Sequence, residues 1–580
     1  MKKIAISLFI GLAIFLTYKK FNKKKTTAKT LYLATSSPVN TLDPSATFSL
    51  GDFQEISKVY ETLLTYDYLK RPAKIIPELA ESLPEISEDG LTYTFKIKKK
   101  IFFQDNKCFK DGKGRELTAE DFVFAIKRAS DPKINCPFFS FLSGKILGID
   151  EWRSKNISRK KTDYEEDIEG VCVIDKYTLK IKLKNFFPHL SMIFCLPFIS
   201  AIPKEAVEYY GEKFPLNPVG TGPFIIKDYK VSDSKIVAVK NPNFREKFYP
   251  KEVSSDLKDS DLLKDAGKKL PLIDQIVTYI IPEGSSMWLK FLKKDIDIIN
   301  VQSLTNIKEK ITEYKNKGFY DNYKENPSST LSLLVFNTNT YPFKNNKYLR
   351  QAISCAIDKT KLNDLLYDST KIVSKGVIPP EISGYNADCL YGYQDFDLKK
   401  SKSLLVKAGY KNGEGLEEVE FLTYKNNDTL AEFLQRSLKE IGVNLKIKVV
   451  MPSEFEHLVT TGAYQMAATG FIFAYPDADN ILNLFYKGNS LSFGCYNSDI
   501  YNKVYEKIIN SSDMKYRVEI YKELNEILME EVPVVPLFYY NNMHMVYPWI
   551  KNFAYSDITF LTYFQYLNID VDKKLICKKL

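Results

Sequence analysis

The alternation of two apolar periodicities along the chain constrains its fold more than any other feature. Residues 91–98 alternate apolar and polar side chains, which is the period of a half-buried strand. Residues 118–126 begin with a threonine N-cap and an acidic first turn, and continue as an amphipathic helix. A helical stripe over residues 433–441 stops at Gly442, and residues 443–449 then alternate as a strand. This succession of helix and strand predicts an α/β fold.

The length of the chain predicts more than one lobe. At 580 residues and 66.8 kDa it far exceeds the roughly 100–200 residues of an ordinary domain. No repeat of about 20–50 residues is present, which argues against a solenoid. Two or three lobes are therefore expected, each with its own core.

The positive charge is confined to the amino terminus. Residues 1–30 contain eight lysines and no acidic residue, so only +2 of the formal net charge of +10 remains for the other 550 residues. A nucleic-acid-binding protein needs a basic face on its folded body, and this chain does not have one. We therefore expect no nucleic-acid partner.

The same terminus predicts export. Two lysines precede an apolar run of 15 residues, 4–18. As a helix this run would span about 22 Å, short of the roughly 30 Å hydrocarbon layer, so an export signal is favoured. No small-x-small cleavage site and no lipid-accepting cysteine follow the run, and lysines flank its far side. Residues 1–30 are thus a cleaved signal or a retained membrane anchor, and both place the body in the periplasm or another extracytoplasmic space.

Motifs of catalysis are missing from the sequence. It contains no G-x-S-x-G, H-E-x-x-H or G-x-x-x-x-G-K-[ST]. His189 is expected to be structural or solvent-facing, His457 to lie on a solvated helix face, and His544 to lie in an apolar stretch. Asp477 and Asp479 are expected to cap a helix rather than to catalyse a reaction. No enzyme activity is predicted.

The eight cysteines do not form a metal motif. None is part of a C-x-x-C, and only three histidines could join them, so no metal or other cofactor is expected. An exported location permits disulfides, but the spacing does not identify the pairs.

A series of short motifs occurs in the order typical of one protein family. They are Leu42-Asp-Pro44, Tyr60-Glu-Thr-Leu-Leu64, Pro77–Leu83, Asp89-Gly-Leu-Thr-Tyr-Thr-Phe95, Leu117–Phe122, Val219-Gly-Thr-Gly-Pro-Phe224, Asn241-Pro-Asn-Phe244, Phe336-Asn337, Arg350-Gln-Ala352, Ala408-Gly-Tyr410 and Val532-Pro-Val-Val-Pro-Leu537. Together they span about residues 31–560, and the chain resembles the solute-binding proteins of peptide and nickel ABC importers, in particular the oligopeptide-binding branch.

The resemblance implies the class II periplasmic-binding-protein fold, with two hinged lobes and an additional third lobe. Lobe I would combine residues 31–60, 187–278 and 545–580. The additional lobe would be residues 61–186, and lobe II, the ligand clamp, residues 279–544. The chain would cross between the hinged lobes near residues 278 and 545, and ligand would favour the closed form by contacting both.

The resemblance also implies a ligand site. Relatives hold an extended peptide like an added strand. Their Gly-Trp-x-x-Asp-Tyr segment, whose Asp binds the peptide amino group, matches residues 470–475 here, with Ala474 in place of the Asp. Either another acid such as Asp477 replaces it, or the ligand has no free amine there, or the alignment is shifted by one or two residues.

By position, nine residues are expected at the cleft. They are Phe48, Phe138, Gly470, Phe471, Ile472, Ala474, Tyr475, Asp477 and Tyr540. Gly470 and Ile472 would act through backbone groups, and Phe471, Tyr475 and Tyr540 would form aromatic walls. Core packing is the competing interpretation for each ring.

The function implied is transport-coupled binding of a peptide or peptide-like solute, with membrane permease subunits as the partner and a monomer as the expected state. A membrane-anchored sensor or a periplasmic chaperone on the same fold, with a non-peptide ligand, is the alternative. The absence of catalytic motifs from the sequence disfavours a hydrolase.

Overall fold

The computed structural model describes residues 28–47, 49–227, 229–255, 257, 260–304, 306–319, 323–387, 392–425, 428–489, 493–558 and 562–579. The predicted leader falls almost wholly outside these residues, and so does Phe48. In the part that is described, no helix is both long and apolar enough to cross a membrane.

The strands of the described residues follow in chain order. They are β1 Thr30–Thr35, β2 Leu64–Tyr66, β3 Ile75–Pro77, β4 Glu85–Ile86, β5 Thr92–Lys96, β6 Val171–Asp175, β7 Thr178–Lys182, β8 Phe224–Lys227, β9 Lys235–Lys240, β10 Gln275–Ile280, β11 Ile298–Asn300, β12 Tyr323–Phe336, β13 Ile372–Val373, β14 Val419–Tyr424, β15 Leu445–Val450, β16 Met466–Ile472, β17 Val534–Val546, β18 Ile550–Lys551 and β19 Asn568–Ile569.

The α-helices alternate with these strands, joined in places by 3₁₀ turns. They are α1 Leu50–Val59, α2 Ala119–Ser130, α3 Ile149–Ile157, α4 Leu190–Ile193, α5 Lys204–Tyr210, α6 Gly284–Leu292, α7 Ile307–Tyr314, α8 Lys347–Cys355, α9 Lys359–Tyr367, α10 Leu398–Lys407, α11 Asp428–Lys439, α12 Pro452–Thr461, α13 Asp479–Leu482, α14 Asp499–Glu506, α15 Met514–Glu531 and α16 Val571–Lys579.

The elements predicted from periodicity are confirmed. The alternating residues 91–98 contain β5, whose Tyr93 and Phe95 are buried. At the start of α2, the Thr118 hydroxyl and Asp121 carboxylate form a capping box. The stripe over 433–441 ends α11, Gly442 adopts a positive φ of 87°, and β15 follows.

Two small sheets build the amino-terminal half. One has the order β1-β10-β9-β8, with β1 parallel to β10 and the other pairs antiparallel. The other is an antiparallel sheet of order β4-β5-β7-β6 within the predicted additional lobe. A single apolar cluster reaches from Val39 and Ile56 near α1 to Phe95 and Leu179 in this second sheet. The predicted lobe I and additional lobe therefore share a core.

Buried charges reinforce this junction. Arg245, which follows β9, forms ion pairs with Glu61 and Glu78, and Lys247 pairs with Glu78 at 2.6 Å. Close backbone packing adds to them, because a Cβ on Gly220 would lie 2.1 Å from the Val59 carbonyl oxygen. We call this unit, together with residues 284–314 described below, the first body.

The second body is built on a mixed seven-stranded sheet of order β11-β17-β12-β16-β14-β15, with β13 also paired to β17. The edge strand β11 belongs to this sheet by its hydrogen bonds, but its side chains pack in the core of the first body. Its strands β14, β15 and β16 are parallel, and β12 runs antiparallel to both β16 and β17. Helices cover both faces, so separate apolar clusters lie on each side: α12, α14 and α15 contribute to one, α8 to α11 to the other. Such double coverage is typical of parallel α/β sheets.

Two long strands join the bodies. Tyr323 at the start of β12 packs in the first body, whereas Leu331–Phe336 at its end lie in the cores of the second. β17 likewise connects the two bodies, but it begins in the cores of the second body and ends in the first. Between these ends the β12–β17 ladder is interrupted by a bulge, where Asp557 accepts hydrogen bonds from the Ser329 backbone N–H and the Asn542 side chain.

Core membership differs from the predicted lobe boundaries at one segment. The sequence predicts residues 279–544 as lobe II; within this range, Trp288 and Phe291 of α6 belong to the same cluster as Leu31 and Trp549. Periodicity shows that α6 has an apolar face, but only tertiary packing selects the body that covers it.

The described cysteines are all free thiols, namely Cys108, Cys136, Cys172, Cys195, Cys355, Cys495 and Cys577. Cys389 lies outside the described residues.

Candidate functional site

A cavity of about 580 Å³ lies between the additional lobe and the second body. The first body contributes Phe187 and residues around its 3₁₀ turn Phe139–Phe141. The second body contributes residues from the end of α12 to α13 and the segment that follows α13. The lining residues are Ser140, Phe141, Ser143, Lys145, Phe187, Val459, Thr460, Tyr464, Phe471, Tyr475, Asn480, Asn483, Leu484, Gly488 and Asn489. Aromatic rings and neutral polar groups dominate this wall, which is typical of a site for a small organic ligand.

The segment after β16 forms the second body's side of the site. Its Ala474 N–H donates to Asn480 Oδ1 at 2.8 Å, which holds the turn against the start of α13. Asp477 is completely buried, and its Oδ1 accepts hydrogen bonds from the Tyr521 hydroxyl at 2.7 Å and the Asp479 N–H at 2.9 Å. Asp477 thus binds the N–H of the first residue of α13, but the N-cap position of this helix is Ala478, which makes no side-chain cap.

His189 of the first body reaches these acids across the interface. Its Nε2 lies 3.2 Å from Asp477 Oδ1 and its Nδ1 lies 3.5 Å from Asp479 Oδ2, although neither pair is aligned as a hydrogen bond. Burial opposes the charge of Asp477, but His189 and Tyr521 outweigh it, so the pKa of Asp477 is below its ordinary value. His189 is 1% exposed, so of the two predicted alternatives, structural or solvent-facing, the structure excludes the solvent-facing one.

Tyr475 makes the main apolar contact between the bodies. Its ring stacks on His189 at a centroid distance of 5.4 Å and meets the edge of Phe141 at 6.0 Å. Among the described residues it is the one member of the second body in the buried cluster of the first. The Tyr475 ring therefore contributes an aromatic contact between the two bodies in this structure.

Within the described residues, the edge of β16 that faces β14 has no strand partner beyond Ala467. β14 pairs with β16 only at Met466 and Ala467, so the ladder on that side ends before Gly470. The Phe473 N–H donates to Ser329 O, so strand alternation turns the backbone groups of Gly470 and Ile472 away from β12. Both residues are exposed, as a strand-like ligand partner requires.

The nine predicted site residues do not all lie at the cavity. Two of them, Phe471 and Tyr475, line it. Ala474 is half-buried against the first body's core, and Phe138 packs among rings that include Phe53 and Phe198 at 5.6 Å. Tyr540 lies elsewhere on the second sheet, with the Lys371 ammonium 3.4 Å from its ring centroid.

Sequence reasoning missed the first body's share of the cavity. Phe141 and Lys145 follow Phe138 by only a few residues, and the Phe-rich stretch 138–141 was the available sign of a ring cluster. Of the other histidines, His457 is exposed on α12 as predicted, and burial lowers the pKa of His544 to about 3.

Neither a metal centre nor a nucleophile–base pair emerges from the described residues. No group of three His, Cys, Asp or Glu side chains among them is placed to hold a metal ion. Asp477 and His189 are buried, with the Tyr475 ring stacked on His189 and the Tyr521 hydroxyl bonded to Asp477. The arrangement is suited to enclosing a molecule.

Two α/β bodies joined by two crossing strands, with a cavity between them, define the class of hinged periplasmic-type binding proteins. The comparison with known families agrees. A family model described as bacterial extracellular solute-binding proteins, family 5, middle region, matches residues 74–493. The chain belongs to this family.

Curated relatives match over most of their length. Heme-binding protein A of Haemophilus influenzae is 26% identical over 89% of this chain and 87% of its own. The periplasmic oligopeptide-binding protein OppA of Escherichia coli is 25% identical over 91% and 90%.

Solved structures confirm the predicted fold class. A periplasmic binding protein DppA of Helicobacter pylori, in complex with the peptide STSA, has a TM-score of 0.71 at 25% identity and covers 93% of this chain and 98% of its own. HbpA2 of Haemophilus parasuis has a TM-score of 0.73 at 23% identity, over 93% and 100%.

Proposed function

We propose that this protein is the extracytoplasmic binding component of an ABC importer, which captures a peptide or peptide-like solute between its two bodies and delivers it to membrane permease subunits. The observation that supports this most is the cavity of about 580 Å³ whose wall is divided between the bodies. A ligand there contacts both bodies and so favours the closed form over the open one.

The peptide class is supported by the relatives. One is named an oligopeptide-binding protein and another was solved with a bound peptide. The unpaired edge of β16 at Gly470 and Ile472 is suited to main-chain pairing with an extended peptide. Another relative is named a heme-binding protein, so family membership by itself leaves the ligand open.

We further propose that the hinge lies within β12 and β17 rather than near residue 278, because α6 and β11 pack in the first body. The N-terminal segment 1–30 would export the protein and serve as a cleaved signal or an anchor. The protein would act as a monomer without catalysis or cofactor.

The test is native mass spectrometry of protein purified from its own host, combined with small-angle scattering. A set of co-purifying peptide masses, and a smaller radius of gyration when peptide is added, would support the proposal. A haem absorption spectrum, or cleavage of added peptides, would contradict it.

A further inference from the structure

The cavity between the two bodies has a positively charged side chain in its wall and no negatively charged one among the described lining residues. Lys145 is the one charged side chain among the described residues that line it. The remaining polar groups of the wall are neutral amides and hydroxyls, and its apolar groups are mainly aromatic rings such as Phe141, Phe187 and Phe471.

Lys145 retains donors for a ligand. Its ammonium donates to the Ser140 carbonyl oxygen at 2.8 Å and lies 5.2 Å from the centroid of the Phe187 ring. Among the residues that the structure describes, no carboxylate lies within ion-pair distance of it. Since an ammonium group carries three N–H donors, two remain available. Burial lowers the pKa of Lys145, although the carboxylates of Asp479 and Asp150 act in the opposite direction.

The nearby acids are already occupied. Asp477 is buried under Tyr475 and bonded to Tyr521, as described above. Asp479 accepts a hydrogen bond from the Tyr505 hydroxyl at 2.7 Å and lies 3.4 Å from Arg517. Asp150 accepts hydrogen bonds from the Ser143 hydroxyl at 2.6 Å and from the Gly144 N–H at 2.7 Å. An ammonium group of a ligand in the cavity would thus meet a lysine and carboxylates that are already engaged, an unfavourable environment for a partly desolvated cation.

We propose that the ligand presents a carboxylate, and not an ammonium group, to this cavity, and that Lys145 binds it. This inference rests on the proposed peptide-binding function and specifies its substrate class as peptides or peptide-like solutes whose end in this cavity is acidic. A charge-assisted hydrogen bond of this kind contributes about 10- to 100-fold in affinity.

The experiment uses one mixture of random tripeptides in three forms: free amine, N-acetylated and N-succinylated. Binding of each form to the full-length protein is measured by native mass spectrometry and by thermal stabilisation. We expect the succinylated form to bind best and the free-amine form to bind worst. Lys145→Gln should weaken the succinylated form by about 10- to 100-fold and change the acetylated form by less than about threefold.

Two further variants control the result. Lys184→Gln removes an exposed lysine whose backbone N–H is bonded to the Lys145 carbonyl, so it alters nearby charge without altering the cavity and should not change binding. Lys145→Arg keeps the charge and should retain the preference for the succinylated form, provided that circular dichroism shows native folding.

The outcomes separate the two proposals. Tighter binding of the free-amine form, with no effect of Lys145→Gln on the succinylated form, would overturn the carboxylate inference while peptide binding stands. Failure of all three forms to bind the folded wild-type protein would overturn the proposed peptide function together with this inference.

Discussion

The ring of Tyr475 is predicted to control closure of the two bodies. It is 4% exposed and packs against His189 and Phe141 of the first body. Replacing a buried aromatic ring by alanine costs about 3–5 kcal/mol. Because water can enter an interface cavity, we take about 3 kcal/mol for Tyr475→Ala. This energy is lost only from the closed state, so ligand affinity should fall by about 100-fold.

The assay is titration calorimetry with the best-binding tripeptide form, together with scattering on the same samples. Tyr475→Ala should remain extended at ligand concentrations that close the wild type. Tyr475→Phe keeps the ring and should lose less than about 1 kcal/mol. Tyr209→Ala, at a residue that is 56% exposed, is the control for loss of a surface tyrosine. Affinity of Tyr475→Ala within threefold of the wild type would refute the role given to the ring.

Three further predictions concern stability. Burial raises the pKa of Glu381 to about 7 from an ordinary value of 4.5, so the folded protein should lose stability as pH rises through this interval. Replacing Glu381 by Gln should therefore raise the free energy of unfolding, measured by denaturant titration, by about 2 kcal/mol more at pH 8 than at pH 4. An equal effect at both pH values would contradict this. Arg245→Met should lower the free energy of unfolding in urea by about 3–5 kcal/mol, because it removes the arginine that pairs with the buried Glu61 and Glu78. A decrease below about 1 kcal/mol would show that these ion pairs are not needed for stability. Gly220→Ala should lower the free energy of unfolding by about 3 kcal/mol in the same measurement, since the Val59 carbonyl oxygen lies 2.1 Å from the new Cβ. An unchanged unfolding midpoint would show that the backbone there can shift without loss of stability.

Much of the fold was available from sequence, because local periodicity records which side of an element is buried. The strand at β5, the capping box at Thr118 and the helix–Gly442–strand unit all follow from residues close together in the chain. The ordered motifs then indicated a class II fold, which the family match and the solved structures confirm.

The site was only partly available, because its two walls come from segments far apart in sequence. The stretch 470–477 identified the second body's wall, but nothing in the sequence indicated that His189 would lie 3.2 Å from Asp477 or that Lys145 would enter the cavity. The sequence also left undecided whether a ligand can reach Asp477, because an aspartate in a loop can either cap a helix or bind a ligand.

By itself, the sequence determined the α/β class, the confinement of positive charge to the first 30 residues and the absence of catalytic motifs. Tertiary structure decided which body covers α6, where the chain crosses between the bodies, and which charged groups face the cavity. The physical reason is that local sequence shows which apolar side chains must be buried and which charged side chains must be paired. The residues that bury them or pair with them come from distant segments, so they are determined only when those segments pack together.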